Sequence, residues 1–502
     1  MTQNRKKQFG INVVSSWFQQ GIRIVVSFFM LPYAMNRLGQ EAYGIYQLAF
    51  SAIVFFNFLQ IGMGPSLVRF ATQALTAGDN EQTKKISSNS QLILNGLGFL
   101  GMLGILILIP FFIKFYNISE NLVLETNRMI TCMAVSFLFS FLSITQQSLL
   151  QSANRYELSN GIMVIQTVMQ AFFAVLLFEF VHPSLFFYGI AILAAQGLRF
   201  FLLLFFVFRE IGAPALFSPS SINYKMVTKL VGFSLLIMVQ TISYTAVFQG
   251  PSLLIGKFLG PDMVALFAPA LLVATAMQGL IGQSLNPIIT IAAQEKTKSG
   301  DNKLGLWALQ ISQIVAFAGF GFLALFFLFG NDLVGLWLGF EKAWLWKVVA
   351  AVSFGAVLMP IQGVIGRLAI GASNIKATAF SMAILACAIF SGIILGMVYW
   401  GWDLFKVALF MGICISIRSF YICFHYSKDF KYSFRNYFLQ VYFKTAMVSG
   451  AVLLFSSIIL SGLNLATGFL WLLIQALSIG GLYLIIGWYF LLPESFKVLV
   501  KR

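Results

Sequence analysis

Four arginines, Arg23, Arg199, Arg367 and Arg418, lie inside long apolar stretches of a chain that puts no carboxylate in the middle of any such stretch. A guanidinium at bilayer depth costs about 2.5–3.5 kcal/mol on insertion scales, so four of them cost ~10 kcal/mol at the low end. Such residues persist in a polar interior or for a function. A guanidinium stays charged and offers a planar fork of donors that fits phosphate or carboxylate bidentately. Cations held without acidic partners point to handling of an anion.

The four are not equivalent. Arg23 sits near the middle of the stretch 11–35, and Arg418 is similarly deep in its own. Arg199 is nine residues from the end of its stretch, roughly 13 Å at helical rise and too far to snorkel easily. Arg367 is about four residues from an end, within snorkelling reach. Asn12, Ser16, Gln19, Arg23 and Ser27 recur every three or four residues, which puts them on one helical stripe. Ser234, Thr241, Thr245 and Gln249 repeat that stripe more mildly, and Asn57, Gln60, Gln278, Ser284 and Asn286 add polar groups. The Ser, Thr and Gln residues, taken singly, suit interhelical hydrogen bonding; the Arg23 stripe suits a water-filled cavity. Arg23, Arg418, Arg199 and Arg367, with Asn12, Ser16, Gln19, Gln60, Thr241 and Thr245, are the candidate substrate-binding residues.

The elements that position them are transmembrane helices. Hydrophobic residues make up 59% and charged residues 10% of the 502, and mean hydropathy is +0.87, a composition that excludes an ordinary soluble domain. Windows able to cross a ~30 Å core fall at about 11–35, 43–68, 89–113, 127–150, 159–180, 185–208, 226–256, 263–291, 304–330, 344–371, 377–399, 404–426, 441–463 and 468–492. That predicts an all-α polytopic membrane protein of about fourteen helices, since barrel-type alternation is missing and backbone groups in lipid must be satisfied internally. The basic opening Arg5-Lys6-Lys7 resembles a signal peptide, but the apolar run behind it is too long and polar-studded, so a retained first helix is expected.

Loop charge sets the orientation. Lys84/Lys85, Arg155, Arg209/Lys225, Lys296/Lys298/Lys303, Lys376 and Lys428/Lys431/Arg435 fall on the side of the N-terminus, as does the tail with Lys497, Lys501 and Arg502. Scattered Arg37, Lys114, Lys257, Lys342 and Lys406 fall on the other. Both termini are expected to be cytoplasmic. The net charge of +16 therefore reads as topology, and no nucleic-acid partner is expected.

The halves echo each other across a Pro/Ser-rich linker at 209–225. Leu38-Gly39 recurs as Leu259-Gly260, Gly78-Asp79-Asn80 as Gly300-Asp301-Asn302, and Ser152-Ala153-Asn154 as Ala372-Ser373-Asn374, at offsets of 220–222 residues. The expected domains are an N-lobe at 1–208, the linker, a C-lobe at 226–426, and two added helices with a tail at 427–502. Six helices per lobe give repeats of the same orientation, related by a pseudo-two-fold along the membrane normal, which suits alternating access through a cationic central cavity.

Several chemistries find no support. The four cysteines lie in apolar stretches without metal or disulfide spacing, His182 and His425 are isolated, and GxxxxGK[ST] does not occur. No cofactor or metal site is expected. Gly392–Gly396 forms a GxxxG, which signals close helix packing. Glu179, at a helix end, reads as a solvated terminus.

The opening GINVVSSWFQQGIRIVVSFFMLPYAMNRLGQEAYGIYQLAFS resembles that of Wzx-type polysaccharide and O-antigen flippases of the multidrug/oligosaccharidyl-lipid/polysaccharide exporter superfamily. Pro32, Leu38-Gly39, Tyr43-Gly44, Tyr46, Gly62, Gly64, Leu67 and Arg69 carry the resemblance. It implies a non-enzymatic inner-membrane transporter moving undecaprenyl-diphosphate-linked oligosaccharide (a repeat unit of lipopolysaccharide O-antigen, of capsule or of exopolysaccharide) to the outer leaflet. It also implies a cavity lined by the first two helices of each lobe, and partnership with membrane lipids and with the pathway's polymerase and chain-length components. Two rivals share the superfamily: a cation-coupled multidrug exporter, expected to carry an intramembrane carboxylate, and a lipid II flippase. A polymerase-type membrane enzyme is disfavoured by outer loops of only about a dozen residues.

Overall fold

The computed structural model describes residues 2–60, 63–212, 218, 235–285, 301–371, 376–462 and 469–490. Every regular element among them is helical. The chain is an all-α polytopic membrane protein. Eleven of the described helices are long and apolar enough to cross a membrane, and each coincides with one of the fourteen expected windows. The window at 11–35 falls in α1 (Thr2–Leu38), whose Gln19, Gln20 and Arg23 lower its hydropathy. The windows at 226–256 and 468–492 lie partly outside the described residues. So do most of the 209–225 linker, Ser234, Asn286, Gly300 and the Ala372-Ser373-Asn374 echo.

The chain divides into two compact units, Met1–Leu266 and Phe267–Arg502. The first holds α1, α2 (Gln40–Phe56), a 3-10 turn at Asn57–Gln60, α3 (Met63–Ala77), α4 (Asn80–Phe115), α5 (Glu120–Ser152), α6 (Tyr156–Phe180), α7 (Leu185–Glu210), α8 (Leu235–Phe258) and the start of α9 (Pro261–Leu285). Local chemistry sets the breaks. Gly78 closes α3 at φ 68, and Asp79 then caps α4, its side chain accepting from Gln82 N at 2.8 Å. Asn154, at φ 61, turns the chain from α5 into α6, a conformation asparagine tolerates better than most residues. Ser184 caps α7 by accepting from Phe187 N at 3.3 Å. Leu67, Ile86, Leu149, Ile162 and Leu203 bring five of these helices onto one buried core.

The second unit holds the rest of α9, α10 (Asp301–Leu338), a 3-10 turn at Phe340–Leu345, α11 (Trp346–Gly371), α12 (Lys376–Trp400) and α13 (Leu404–Asp429). Beyond them lie α14 (Phe434–Tyr437), a π-turn at Phe438–Phe443, α15 (Lys444–Gly462) and α16 (Phe469–Phe490). Tyr483 ties the last two helices to α10: its hydroxyl donates to Phe317 O at 2.8 Å and lies 2.8 Å from Ser449 Oγ.

The tightest joint in this unit is between α11 and α13. A Cβ built on Gly355 would lie 2.7 Å from Gly412 O, and one on Gly412 would fall well inside contact distance of Ala351 O. Small residues let helix backbones approach in a bilayer, where packing rather than hydrophobicity drives association. Gly412→Ala should therefore lower the melting temperature of the purified protein, because overpacking costs about 1–3 kcal/mol and outweighs the ~1 kcal/mol helix-propensity gain of alanine. Gly450→Ala, with nothing within 4 Å of its new methyl, should show only the gain. Equal shifts in the two variants would refute this account of the joint.

Candidate functional site

The polar stripe of α1 is divided by the fold into two parts. Its N-terminal part is consumed in packing. Asn12 Nδ2 donates to Asn154 Oδ1 at 3.1 Å, Ser16 Oγ donates to Asn12 O at 2.9 Å, and Asn160 Nδ2 donates to Ser15 and Ser16 Oγ at 2.9 and 3.0 Å. These bonds fasten α1 to the turn between α5 and α6. The next turn of the stripe holds Gln19 and Gln20, both buried, with no hydrogen-bond partner for Gln20 Nε2 among the described residues.

Arg23, one turn further on, is exposed. At about 100° per residue it projects from the opposite side of α1 to Val14, Phe18 and Val25, which are exposed as well. Thus α1 has one accessible apolar face, suited to lipid, and one accessible face that carries a cation. Tyr244 on α8 lies within electrostatic reach of Arg23. Thr241, a turn before Tyr244, is exposed, and Thr245 is half-buried. The α1 stripe and its milder α8 counterpart are thus electrostatically linked through Arg23 and Tyr244. Tyr244 was missed by the sequence reading, although its position between Thr241 and Thr245 on one helical face was the available signal. Gln60 is half-buried at the end of the 3-10 turn that interrupts the second span.

The other three arginines are set into helix packing. Arg199 on α7 donates through Nη2 to Gln147 Oε1 of α5 at 2.6 Å, and its Nε has no partner among the described residues. Beside it, Gln166 Nε2 of α6 donates to Gln196 Oε1 at 2.9 Å. Two separate hydrogen bonds to amides thus tie α7 to α5 and to α6. Arg367 on α11 is half-buried and donates to two main-chain carbonyls, Gly363 O at 3.3 Å and Gly282 O at 3.1 Å. Arg418 on α13 is only 7% exposed and donates to Thr378 O at 3.2 Å.

The ion pairs among the described residues sit at helix ends. Arg155, before α6, pairs with Glu210 at 2.8 Å and Glu157 at 3.1 Å. Glu179, expected as a solvated end, is exposed at the end of α6, where it pairs with Arg37 and accepts from the Tyr33 hydroxyl at 2.9 Å. None of these pairs involves Arg23, Arg199 or Arg418. Among the described residues no group of His, Cys, Asp and Glu could hold a metal ion.

A second close approach joins α2 to the junction of α8 and α9. A Cβ on Gly44 would collide with the Pro261 main chain, and one on Gly256 would collide with Leu48. Gln40 Nε2 donates to Asp262 O at 3.3 Å, and Ser51 Oγ to Gln249 Oε1 at 2.9 Å.

Comparison with known proteins agrees with this architecture. A family profile described as polysaccharide biosynthesis protein matches residues 9–292. The membrane protein EpsK of Bacillus subtilis (strain 168) is 23% identical over 291 residues, 52% of this chain and 56% of that protein, so the match spans little more than half of the relative's length. Among solved structures, the lipid II flippase MurJ in an inward closed conformation superposes with a TM-score of 0.71 at 14% identity, covering 98% of this chain and 99% of that one. An inward-facing multidrug resistance MATE family transporter of the MOP superfamily gives 0.70 at 12% identity, covering 82% and 98%. At these identities the likeness is one of fold, which this chain shares with that lipid II flippase and that multidrug transporter. The family match takes in the whole opening segment whose residues carried the resemblance and covers more than half of the chain: the protein belongs to the polysaccharide biosynthesis protein family.

Proposed function

We propose that this protein is a flippase that carries undecaprenyl-diphosphate-linked oligosaccharide, a repeat unit of O-antigen, capsule or exopolysaccharide, from the cytoplasmic to the outer leaflet by alternating access. It resides in the cytoplasmic (inner) membrane with both termini inside, and it delivers its cargo to the pathway's polymerase and chain-length components. Arg23 carries this reading. It is an accessible guanidinium on the polar face of α1, opposite that helix's apolar exposed face and without a carboxylate partner among the described ion pairs. A diphosphate needs such a partner in a low-dielectric setting, and a guanidinium fits it bidentately. Thr241, Tyr244 and Thr245 on α8 supply hydroxyls along the same face. The lipid tail stays in the bilayer while the head group crosses. Outward movement of an anion is favoured by about 2.3 kcal/mol per charge per 100 mV in a cell negative inside.

Deleting the gene and analysing lipid-linked intermediates by mass spectrometry tests this function. A complete polyprenyl-diphosphate oligosaccharide should accumulate while surface polymer is lost. Unchanged intermediates with altered drug sensitivity would instead establish the multidrug-exporter alternative. Accumulated lipid II, with arrest of cell-wall synthesis, would establish the lipid II alternative.

A further inference from the structure

One exposed face of α13 changes character along its length. Ile413, Ile417, Tyr421, Phe424 and Lys428 recur every three or four residues and so share a stripe, and all five are exposed. The stripe passes from aliphatic through aromatic to cationic side chains. From position 417 to 428 it covers roughly 16 Å at helical rise, about half of a ~30 Å hydrocarbon core. Acyl chain, interface and head group follow one another in that order across a single leaflet.

The cationic end is a sharp corner. Lys431 N donates to Lys428 O at 3.3 Å, closing a turn that brings the two residues together, and Arg435 follows on α14. All three are exposed, and none is in an ion pair among the described residues. By contrast, Lys85 is paired with Glu81, and Arg155 with Glu157 and Glu210. Asp429 is the one carboxylate between Asp403 and Glu494. Lys431 has φ 51, a left-handed conformation that glycine or asparagine adopts at less cost, so a lysine is kept there against the preference of the backbone. The corner is braced on both sides. The Tyr432 hydroxyl donates to Cys423 O, and a Cβ on Gly305 of α10 would collide with Phe430 O. Phe424 packs edge-on against Phe434 with centroids 5.4 Å apart, and Phe420 lies 5.8 Å from Phe438, so α14 and the π-turn lie along the last turns of α13. A corner already held in place loses little freedom when it takes up a ligand.

We propose that this corner binds an anionic phospholipid of the membrane: Lys428, Lys431 and Arg435 receive its phosphate head group, and an acyl chain lies along Ile417, Tyr421 and Phe424. Three cations outside the ion pairs favour a lipid of net negative charge over a zwitterionic one, whose own ammonium already stands beside the phosphate. Arg435 adds the fork of donors that fits phosphate. In the orientation proposed above, the corner lies at the cytoplasmic leaflet, whose anionic lipids attract basic segments beside the membrane. The site uses none of Arg23, Thr241, Tyr244 and Thr245, and it is independent of the cargo assigned through them.

Native mass spectrometry of the full-length purified protein tests this, with phosphatidylglycerol, phosphatidylcholine or undecaprenyl phosphate added. The wild type should bind phosphatidylglycerol about 100-fold tighter than phosphatidylcholine, since each of three cations at an anionic head group contributes about fivefold. That preference should be lost in Lys428→Gln/Lys431→Gln/Arg435→Gln and kept in Lys84→Gln/Lys85→Gln, which removes charge from another loop. Raising the salt should weaken phosphatidylglycerol binding by the wild type, because screening acts on exposed charges. That readout does not depend on whether a variant folds. Equal, salt-insensitive binding of the two phospholipids by the wild type would overturn the proposal, as would an unchanged preference in the triple variant. An equal loss in Lys84→Gln/Lys85→Gln would overturn it too, by showing an effect of bulk charge in place of a site. Tighter binding of undecaprenyl phosphate than of phosphatidylglycerol would assign the corner to the carrier lipid of the cargo instead.

Discussion

Arg23→Gln should reduce translocation of the lipid-linked oligosaccharide by about 10- to 100-fold, since a hydrogen bond to a charged group contributes about 1.5–3 kcal/mol and each 1.4 kcal/mol is a factor of ten. Glutamine keeps the length and polarity of the stripe but removes the charge and the fork. Arg23→Lys should fall between the two, because an ammonium retains the charge without bidentate geometry. Stability should move the other way. A guanidinium in a span is costly, and Arg23 is in none of the ion pairs of the described residues, so the glutamine variant should melt at or above the wild-type temperature. Transport is read as clearance of the accumulated intermediate in the deletion strain, with expression measured in parallel. Wild-type clearance by Arg23→Gln at normal expression would remove Arg23 from the head-group site.

Gly44→Leu should abolish transport while leaving a folded protein. The close approach of α2 to the α8–α9 junction exists because Gly44 has no side chain: even a Cβ there would run into the Pro261 carbonyl, and main chain cannot rotate aside as a side chain can. Gly256 repeats the arrangement against Leu48, and Ser51 with Gln249 pins it with a hydrogen bond at 2.9 Å. In the proposed orientation, with both termini cytoplasmic, this joint would lie on the outer side, and the proposed alternating-access cycle would have it part and re-form. A leucine at 44 holds it apart. Gln40→Cys with Asp262→Cys, whose parent residues are linked by a hydrogen bond at 3.3 Å, should cross-link readily in an otherwise wild-type chain and poorly beside Gly44→Leu. Gly21→Ala, with nothing within 4 Å of its new methyl, serves as the silent control. Full transport by Gly44→Leu would show that re-forming this joint is no part of the cycle.

Both expectations combine what was legible in the sequence with what was not. The stripe on α1 was visible as a spacing of three and four residues, and Arg23 was visible as an unbalanced charge. Where the stripe is used up was not visible. Asn12 and Ser16 carry the same polarity as Gln19, yet they bind Asn154 and Asn160, more than 140 residues away. Periodicity says which residues share a face; it does not say what that face meets. Gly44 was read only as part of a family-like segment, because close contact with Pro261 is a property of two distant segments at once.

Sequence by itself determined that this chain crosses a membrane many times as helices. Backbone N–H and C=O groups have no solvent partner in lipid, so every long apolar run must satisfy its own hydrogen bonds. It likewise determined that cations enter those runs without carboxylates, which the order of the residues reveals. Tertiary structure decided which of these cations is accessible. Arg23 and Arg418 look alike to any window of hydropathy, yet one is exposed and the other is 7% exposed. The rotation of a helix about its axis is set by the neighbours it packs against, and those neighbours lie elsewhere in the chain.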